Sequence, residues 1–176
     1  ALEAMTANIL SAHLPGDRVR PLLEAAEAAD GIAAFSEAFV QGLDDERVRH
    51  THLIVEDSGE VIACAGIAED GSAELVVHPQ RRREGVGEAL AKAVREQRPD
   101  AGLWAHGNLA GAQALAGKLG LTVDRELLVM GIAAEEIPAG GAELPEGFEA
   151  LDYAEAVERW GRDAVDRQWL EVNNDA

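Results

Sequence analysis

The chain has 176 residues, 47% of them hydrophobic and 27% charged, a balance that fits a folded globular protein and excludes disorder of the whole chain. Fifteen lysines and arginines face 33 aspartates and glutamates, giving a formal net charge of −18. That excess argues against a nucleic-acid partner, which needs a basic footprint larger than the single run Arg81-Arg82-Arg83.

One cysteine, Cys64, rules out a disulfide framework within the chain and fits a reducing compartment. It lies in the apolar stretch Val61–Ala65 and reads as a small buried hydrophobe rather than a nucleophile. No apolar run approaches the ~20 residues of a membrane span, and no basic-then-apolar leader opens the chain. The expected setting is cytoplasmic, with no membrane partner.

Pro15-Gly16-Asp17 is a helix start, and Val19, Leu22, Leu23 and Ala26 follow at helical spacing until Asp30-Gly31. Ser36 looks like the N-cap of a short helix carrying Phe35, Phe39, Val40 and Leu43. Strands are expected over 52–56 and 61–68, joined by the turn Asp57-Ser58-Gly59-Glu60, and over 73–77, ended by His78-Pro79. A helix runs from the turn at 82–87 to about Arg98, before Pro99. A short strand at 102–106 follows. Asn108 is expected to cap a helix through Leu115 and Leu119 that closes at Gly120, and 127–132 reads as a last strand.

From Ala134 the composition becomes acidic and rich in proline and glycine, as linkers are. Residues 148–151 could form a strand, and 153–172 has helical period with Val157, Trp160, Val165, Trp169 and Leu170 apolar. The expected organisation is a first domain over 1–133, a linker over 134–147 and the truncated start of a second domain over 148–176. The fold class is α/β with a mixed sheet (hairpins, then βαβ-like units) and a C-terminal strand-helix extension.

The turn Arg82-Arg83-Glu84-Gly85-Val86-Gly87 joins a strand to a helix. A helix start presents unpaired N–H groups and a positive dipole end. Glycines let a bulky anion approach the backbone, and Arg82 and Arg83 offer charge-assisted contacts. A Rossmann turn would want a third glycine where Leu90 stands, and a P-loop would want Lys where Glu88 stands. From the turn alone, a phosphate site and a tight turn that binds nothing remain equal readings.

Residues 75–87, and within them Val77, Pro79, Arg82, Gly85 and Gly87, resemble the acetyl-CoA motif of the GNAT superfamily of acetyltransferases. The resemblance implies the GNAT acyl-CoA N-acyltransferase fold over about 18–132, with acetyl-CoA as acyl donor and no metal. It places the pantetheine arm along Leu75, Val76 and Val77 by strand-like pairing, and the pyrophosphate on the N–H groups of Arg83, Glu84, Gly85, Val86, Gly87 and Glu88. Glu84 departs from the usual basic or small residue and weakens the local field.

Residues 73–80, 103–107 and Glu171-Val172-Asn173-Asn174 resemble the N-terminal half of the mycothiol synthase family, built from two GNAT domains in tandem. The implied partners are a sugar-containing cysteinyl amine, in a cysteine–glucosamine–inositol conjugate, and a C-terminal GNAT domain beyond this chain. The resemblance implies that this half binds acetyl-CoA while the other transfers the acetyl group. The general-acid tyrosine common in GNAT enzymes would fall at Ala116, and no tyrosine precedes Tyr153. Glu74 is a candidate base beside the plainer reading of a solvated strand glutamate. His78 and His106 lie near the expected cleft as proton shuttles or as ordinary surface histidines. His50 and His52 have no metal-ligand partner in the sequence. By its place after Ser36, Glu37 matches a residue contacting the sugar-containing substrate; read alone, it is a first-turn glutamate favoured by the helix dipole.

Overall fold

A computed structural model of the chain describes residues 8–137 and 143–175. The centre of the expected linker, 138–142, lies outside the described residues. The chain divides into two compact units, up to Arg125 and from Glu126 onward.

The first unit is built on a five-stranded sheet in sequence order: β1 (Ile9–Ala12), β2 (Thr51–Asp57), β3 (Glu60–Ile67), β4 (Ser72–Val77) and β5 (Gly102–Trp104). All neighbours are antiparallel except the β4–β5 pair. The helices are α1 (Gly16–Asp30), α2 (Glu37–Gly42), α3 (Val86–Gln97) and α4 (Ala110–Leu119). β1 was not expected; four residues with two exposed positions carry too little alternation to signal a strand. The β2–β3 hairpin turns through Ser58 and Gly59, both at positive φ, as a type I′ turn requires.

Both faces of the sheet are covered. Ile54, Cys64 and Val76 stand in register across β2, β3 and β4. They pack with Val19, Leu22 and Ala26 of α1 and with Phe35, Phe39 and Leu43 around α2. The opposite face holds Leu53, Val55, Ala63, Ala65 and Ala73 against Val86, Leu90 and Val94 of α3. Burial from both sides explains why β2 and β3 read as continuous apolar runs rather than alternating ones. Leu90, fully buried, contributes roughly 1.5–3 kcal/mol by leaving water. Cys64 is fully buried as expected, and burial pushes its thiol up to about 12, which keeps it protonated and inert.

Other expectations change. α4 starts at Ala110 with Leu109 in the N-cap position, so Asn108 does not cap it. Instead Asn108 sits at φ +49°, and its carbonyl and side-chain oxygens both accept from Gln113 Nε2. The expected strands at 127–132 and 148–151 do not form. Leu127, Leu128, Val129, Met130 and Ile132 are exposed and pair with no strand among the described residues. A strand is stabilised through its neighbour's backbone groups, so an apolar run without one stays irregular.

The single helix expected over 153–172 is two: α5 (Tyr153–Trp160) and α6 (Arg162–Asp175), broken at Gly161. The extension is therefore helical rather than strand-helix among its described residues. Asp152 and Glu155 form a reciprocal capping box that starts α5. The Tyr153 hydroxyl donates to Asp166 at 2.7 Å and pins α5 to α6. Trp160, Trp169, Leu170 and Val172 remain exposed on this pair.

Candidate functional site

β4 and β5 run side by side only from Ser72–Gly102 to Glu74–Trp104. Beyond that point β5 ends, whereas β4 continues through Leu75, Val76 and Val77, paired with β3 on its other side. The two strands therefore part just where the resemblance puts the pantetheine arm. A short 3₁₀ turn, Pro79–Arg81, follows, with His78 as its cap: His78 Nδ1 accepts from Gln80 N–H. This occupies one ring nitrogen of His78 in local structure.

The turn into α3 is tight. Arg83 (φ +69°) and Gly85 (φ +88°) are both left-handed. Gly85 is the N-cap and offers no side chain to the first N–H groups of α3. A Cβ on Gly85 would meet nothing within 4 Å, so the turn is open on that side. A Cβ on Gly87 would lie 3.4 Å from Val77 Cγ2, which shows how closely the helix start sits against the end of β4.

Most charges here are already paired. Arg82 binds Asp30 with two 2.7 Å contacts and donates through Nε to the Val77 carbonyl. That guanidinium is committed to tying the end of α1 to the end of β4, so it is not the open phosphate ligand expected of it. Its hydrogen bonds hold the Asp30 carboxyl below the usual range. Arg81 bridges Glu84 and Asp57. Glu88 takes Lys118 and Lys92, which hold its carboxyl down at about 2. Arg83 is exposed and has no ion pair among the described residues. An anion at this turn would meet backbone N–H groups and Arg83 rather than a field of arginines.

The Asp30–Arg82 link predicts a measurable contribution. Both groups are partly screened, so we expect Arg82→Ala to lower stability by about 1–2 kcal/mol. Lysine at 82 should not restore it, because it lacks the two-pronged geometry. Thermal denaturation of the two variants reads this directly; wild-type melting of Arg82→Ala would show that the link holds nothing.

The other wall of the opening is acidic. Glu74 is 3% exposed, not solvated as the plainer reading had it. Its Oε2 accepts the Ser36 N–H at 2.7 Å and its Oε1 meets His106 Nε2 at 3.0 Å. Glu74 thus holds together the loop entering α2 and the loop leaving β5. Glu37, exposed, is the next residue after Ser36. A Cβ on Gly107 would touch Ile32 at 3.1 Å, so the two loops also pack on each other. Glu74 and His106 are brought together where β4 and β5 part, and residues 83–88 follow the far end of β4. His52 stands in register with Gly66 and Glu74 across β2, β3 and β4, with Phe39 and His50 beside it, and among the described residues no cluster of His, Cys, Asp and Glu is arranged to hold a metal.

A family model described as an acetyltransferase (GNAT) domain matches residues 48–120, which run from before β2 to the end of α4. The chain has the GNAT acetyltransferase fold. The GNAT architecture is also seen in a solved ribosomal-protein-alanine N-acetyltransferase from Brucella melitensis biovar Abortus, at TM-score 0.52 and 16% identity, covering 71% of this chain and 99% of that one. A GNAT family acetyltransferase from Streptococcus pneumoniae superposes at TM-score 0.51 with 17% identity, covering 71% and 97%. At such identities the likeness concerns the fold alone.

Sequence similarity is closer to mycothiol acetyltransferases. That of Corynebacterium aurimucosum is 43% identical over 166 residues, covering 90% of this chain and 52% of that protein. That of Corynebacterium kroppenstedtii is 37% identical over 183 residues, covering 90% and 51%. The chain spans about half the length of these curated relatives. No helix among the described residues is long and apolar enough to cross a membrane.

Within the GNAT domain, Ala116 lies on α4, so the position expected for the phenolic acid is filled by a methyl group. Sequence reading missed the Ser36 and His106 contacts of Glu74. The strand expected over 102–106 ends at Trp104 and His106 opens a 3₁₀ turn, so strand alternation gave no signal for the contact.

Proposed function

We propose that this GNAT domain binds acetyl-CoA. The pantetheine arm would lie along Leu75, Val76 and Val77 where β4 has lost β5, and the pyrophosphate would lie on the N–H groups of Arg83, Glu84, Gly85, Val86, Gly87 and Glu88. The observation that carries the reading is the parting of β4 and β5 after Glu74 and Trp104, opening towards an uncapped helix start with a glycine in the left-handed region. A strand with an unpaired side suits an amide-bearing arm, and the helix start suits the phosphates.

Similarity to mycothiol acetyltransferases over half their length supports the larger setting. In it, the full protein transfers acetyl to the cysteinyl amine of a cysteine–glucosamine–inositol conjugate in the cytoplasm. This chain would be its N-terminal half, residues 148–176 would begin a second GNAT domain, and Glu37 would contact the sugar-containing acceptor. With Ala116 in place of the phenol, the side-chain acid common in GNAT enzymes is missing from its position, and transfer would belong to the other domain. No metal takes part. One observation favours a second reading, that this half transfers acetyl by itself: the Glu74–His106 pair at the closed end of the opening.

Calorimetric titration with acetyl-CoA, and with free CoA alongside, tests the acyl-CoA reading. Saturable heat with both ligands is expected, because the pyrophosphate turn is common to them. Absence of heat and of any thermal shift with either would overturn it.

A further inference from the structure

Glu74 breaks the pattern of its own sheet face. Two residues on, Val76 points the same way and stands in register with the apolar, buried Cys64 and Ile54. Glu74 is as buried as they are, at 3% exposure. A buried polar group costs free energy until it is hydrogen-bonded, and an apolar side chain in such a place is often as stabilising or more so. The compensation is specific. Oε2 accepts the Ser36 N–H at 2.7 Å, and Oε1 meets His106 Nε2 at 3.0 Å. Ser36 is the extended N-cap of α2, its side chain caps nothing, and Phe35 and Phe39 on either side of it in the chain are buried. Phe39 lies over Gly66, where an added Cβ would come within 2.7 Å of its ring, and Gly66 stands in register between His52 and Glu74. The Ser36 N–H and the Phe39 ring thus fasten the start of α2 to one row of the sheet. Glu37 is the first residue of α2, is exposed, and makes no side-chain hydrogen bond or ion pair among the described residues. Its direction is therefore set by the backbone beside it.

We infer that Glu74 is a positioning residue for acceptor binding: by holding the Ser36 N–H it aims the neighbouring Glu37, without meeting the acceptor itself. The inference rests on the reading that Glu37 contacts the sugar-containing acceptor, and it needs no acetyl transfer by this half. Both oxygens of Glu74 are engaged and almost no surface is left to it, so it is placed to hold and not to bind. A carboxyl does here what an apolar residue cannot. Dispersion contacts fill volume, whereas a hydrogen bond fixes where one N–H group lies and points. His106 braces Glu74 from the other side, and its neighbour Gly107 packs against Ile32 of the loop that leads to Ser36. Glu37 set in place before the acceptor arrives loses less freedom on binding, which raises affinity without a new contact.

The kinetic test uses the full-length protein carrying this domain, with CoA thiol release followed against the concentration of the cysteine–glucosamine–inositol conjugate. Glu37→Ala and Glu74→Ala are each expected to raise KM for the conjugate by about tenfold, with kcat and acetyl-CoA affinity within about twofold of wild type. Glu74→Gln should keep most of the affinity, because its amide oxygen still accepts the Ser36 N–H. The double variant Glu37→Ala, Glu74→Ala should be no worse than Glu37→Ala, because one residue acts through the other. A merely structural Glu74 would lower kcat and acetyl-CoA affinity as well, or add its full effect to that of Glu37→Ala, and either result overturns the inference. Wild-type KM in Glu74→Ala beside a raised KM in Glu37→Ala overturns it and leaves the acceptor reading standing. Wild-type KM in Glu37→Ala overturns the acceptor reading and this inference with it. Hydrogen exchange in the unmodified chain needs no variant to fold: the Ser36 amide is expected to exchange at least about tenfold more slowly than in an unfolded chain, and free exchange there overturns the inference too.

Discussion

Replacing Gly85 by valine is expected to weaken acetyl-CoA binding by roughly ten- to a hundredfold, the loss of one or two charge-assisted backbone contacts. Gly85 holds φ +88°, which a β-branched residue reaches only with strain of about 1–2 kcal/mol. Among the described residues no atom lies within 4 Å of its Cβ, so the side chain would project from the open side of the turn rather than disturb the core. Stability should fall by no more than the backbone strain, about 4–8 °C in melting temperature. Gly87→Ala is a milder companion, since its Cβ would make ordinary contact with Val77. Calorimetry and thermal denaturation of the two variants separate a binding loss from a folding loss. Acetyl-CoA affinity unchanged in Gly85→Val would mean that the anion does not sit on this turn.

Mild acid should destabilise the protein through His52. This side chain is 2% exposed in β2, its Nε2 has no hydrogen-bond partner, and burial pulls its imidazole down to about 4. The folded state therefore keeps His52 neutral while the unfolded chain begins to bind a proton near its ordinary 6.5. The stability it protects is fully present above pH 6.5 and is lost as pH falls towards 4, by about 3 kcal/mol at the limit. His50, also lowered by burial, acts in the same direction. The strongly lowered carboxyls Asp45 and Glu88, both at about 2, titrate below this window. We expect His52→Leu to flatten the fall in urea midpoint between pH 7 and pH 5. Parallel falls in wild type and variant would show that His52 is not the cause.

Local chemistry was legible in the chain itself. Ser58-Gly59, Gly31, Gly85 and Gly120 each mark a left-handed residue at the end of an element, a conformation that depends on the residue and its immediate neighbours. The runs at 52–56, 61–68 and 73–77 sit in the sheet because two apolar faces bury them. The GNAT motif at 77–87 is likewise contiguous, and so could be recognised without a structure.

What the sequence left open depends on residues far apart in the chain. Arg82 is a phosphate ligand by neighbourhood but a structural ligand by contact, because Asp30, 52 residues away, meets it at 2.7 Å. Glu74 looked like a solvated strand glutamate until Ser36, 38 residues upstream, and His106, 32 downstream, closed over it. The run 127–132 has strand composition, yet pairing needs a neighbour's backbone and none among the described residues lies beside it. Sequence by itself determined the turns, the two-faced sheet and the glycine turn that opens α3, since φ preference and burial are properties of short segments. Only the tertiary structure decided which charges remain available and which nitrogen of His106 meets Glu74, since a hydrogen bond is assigned by the partner that folding brings to it.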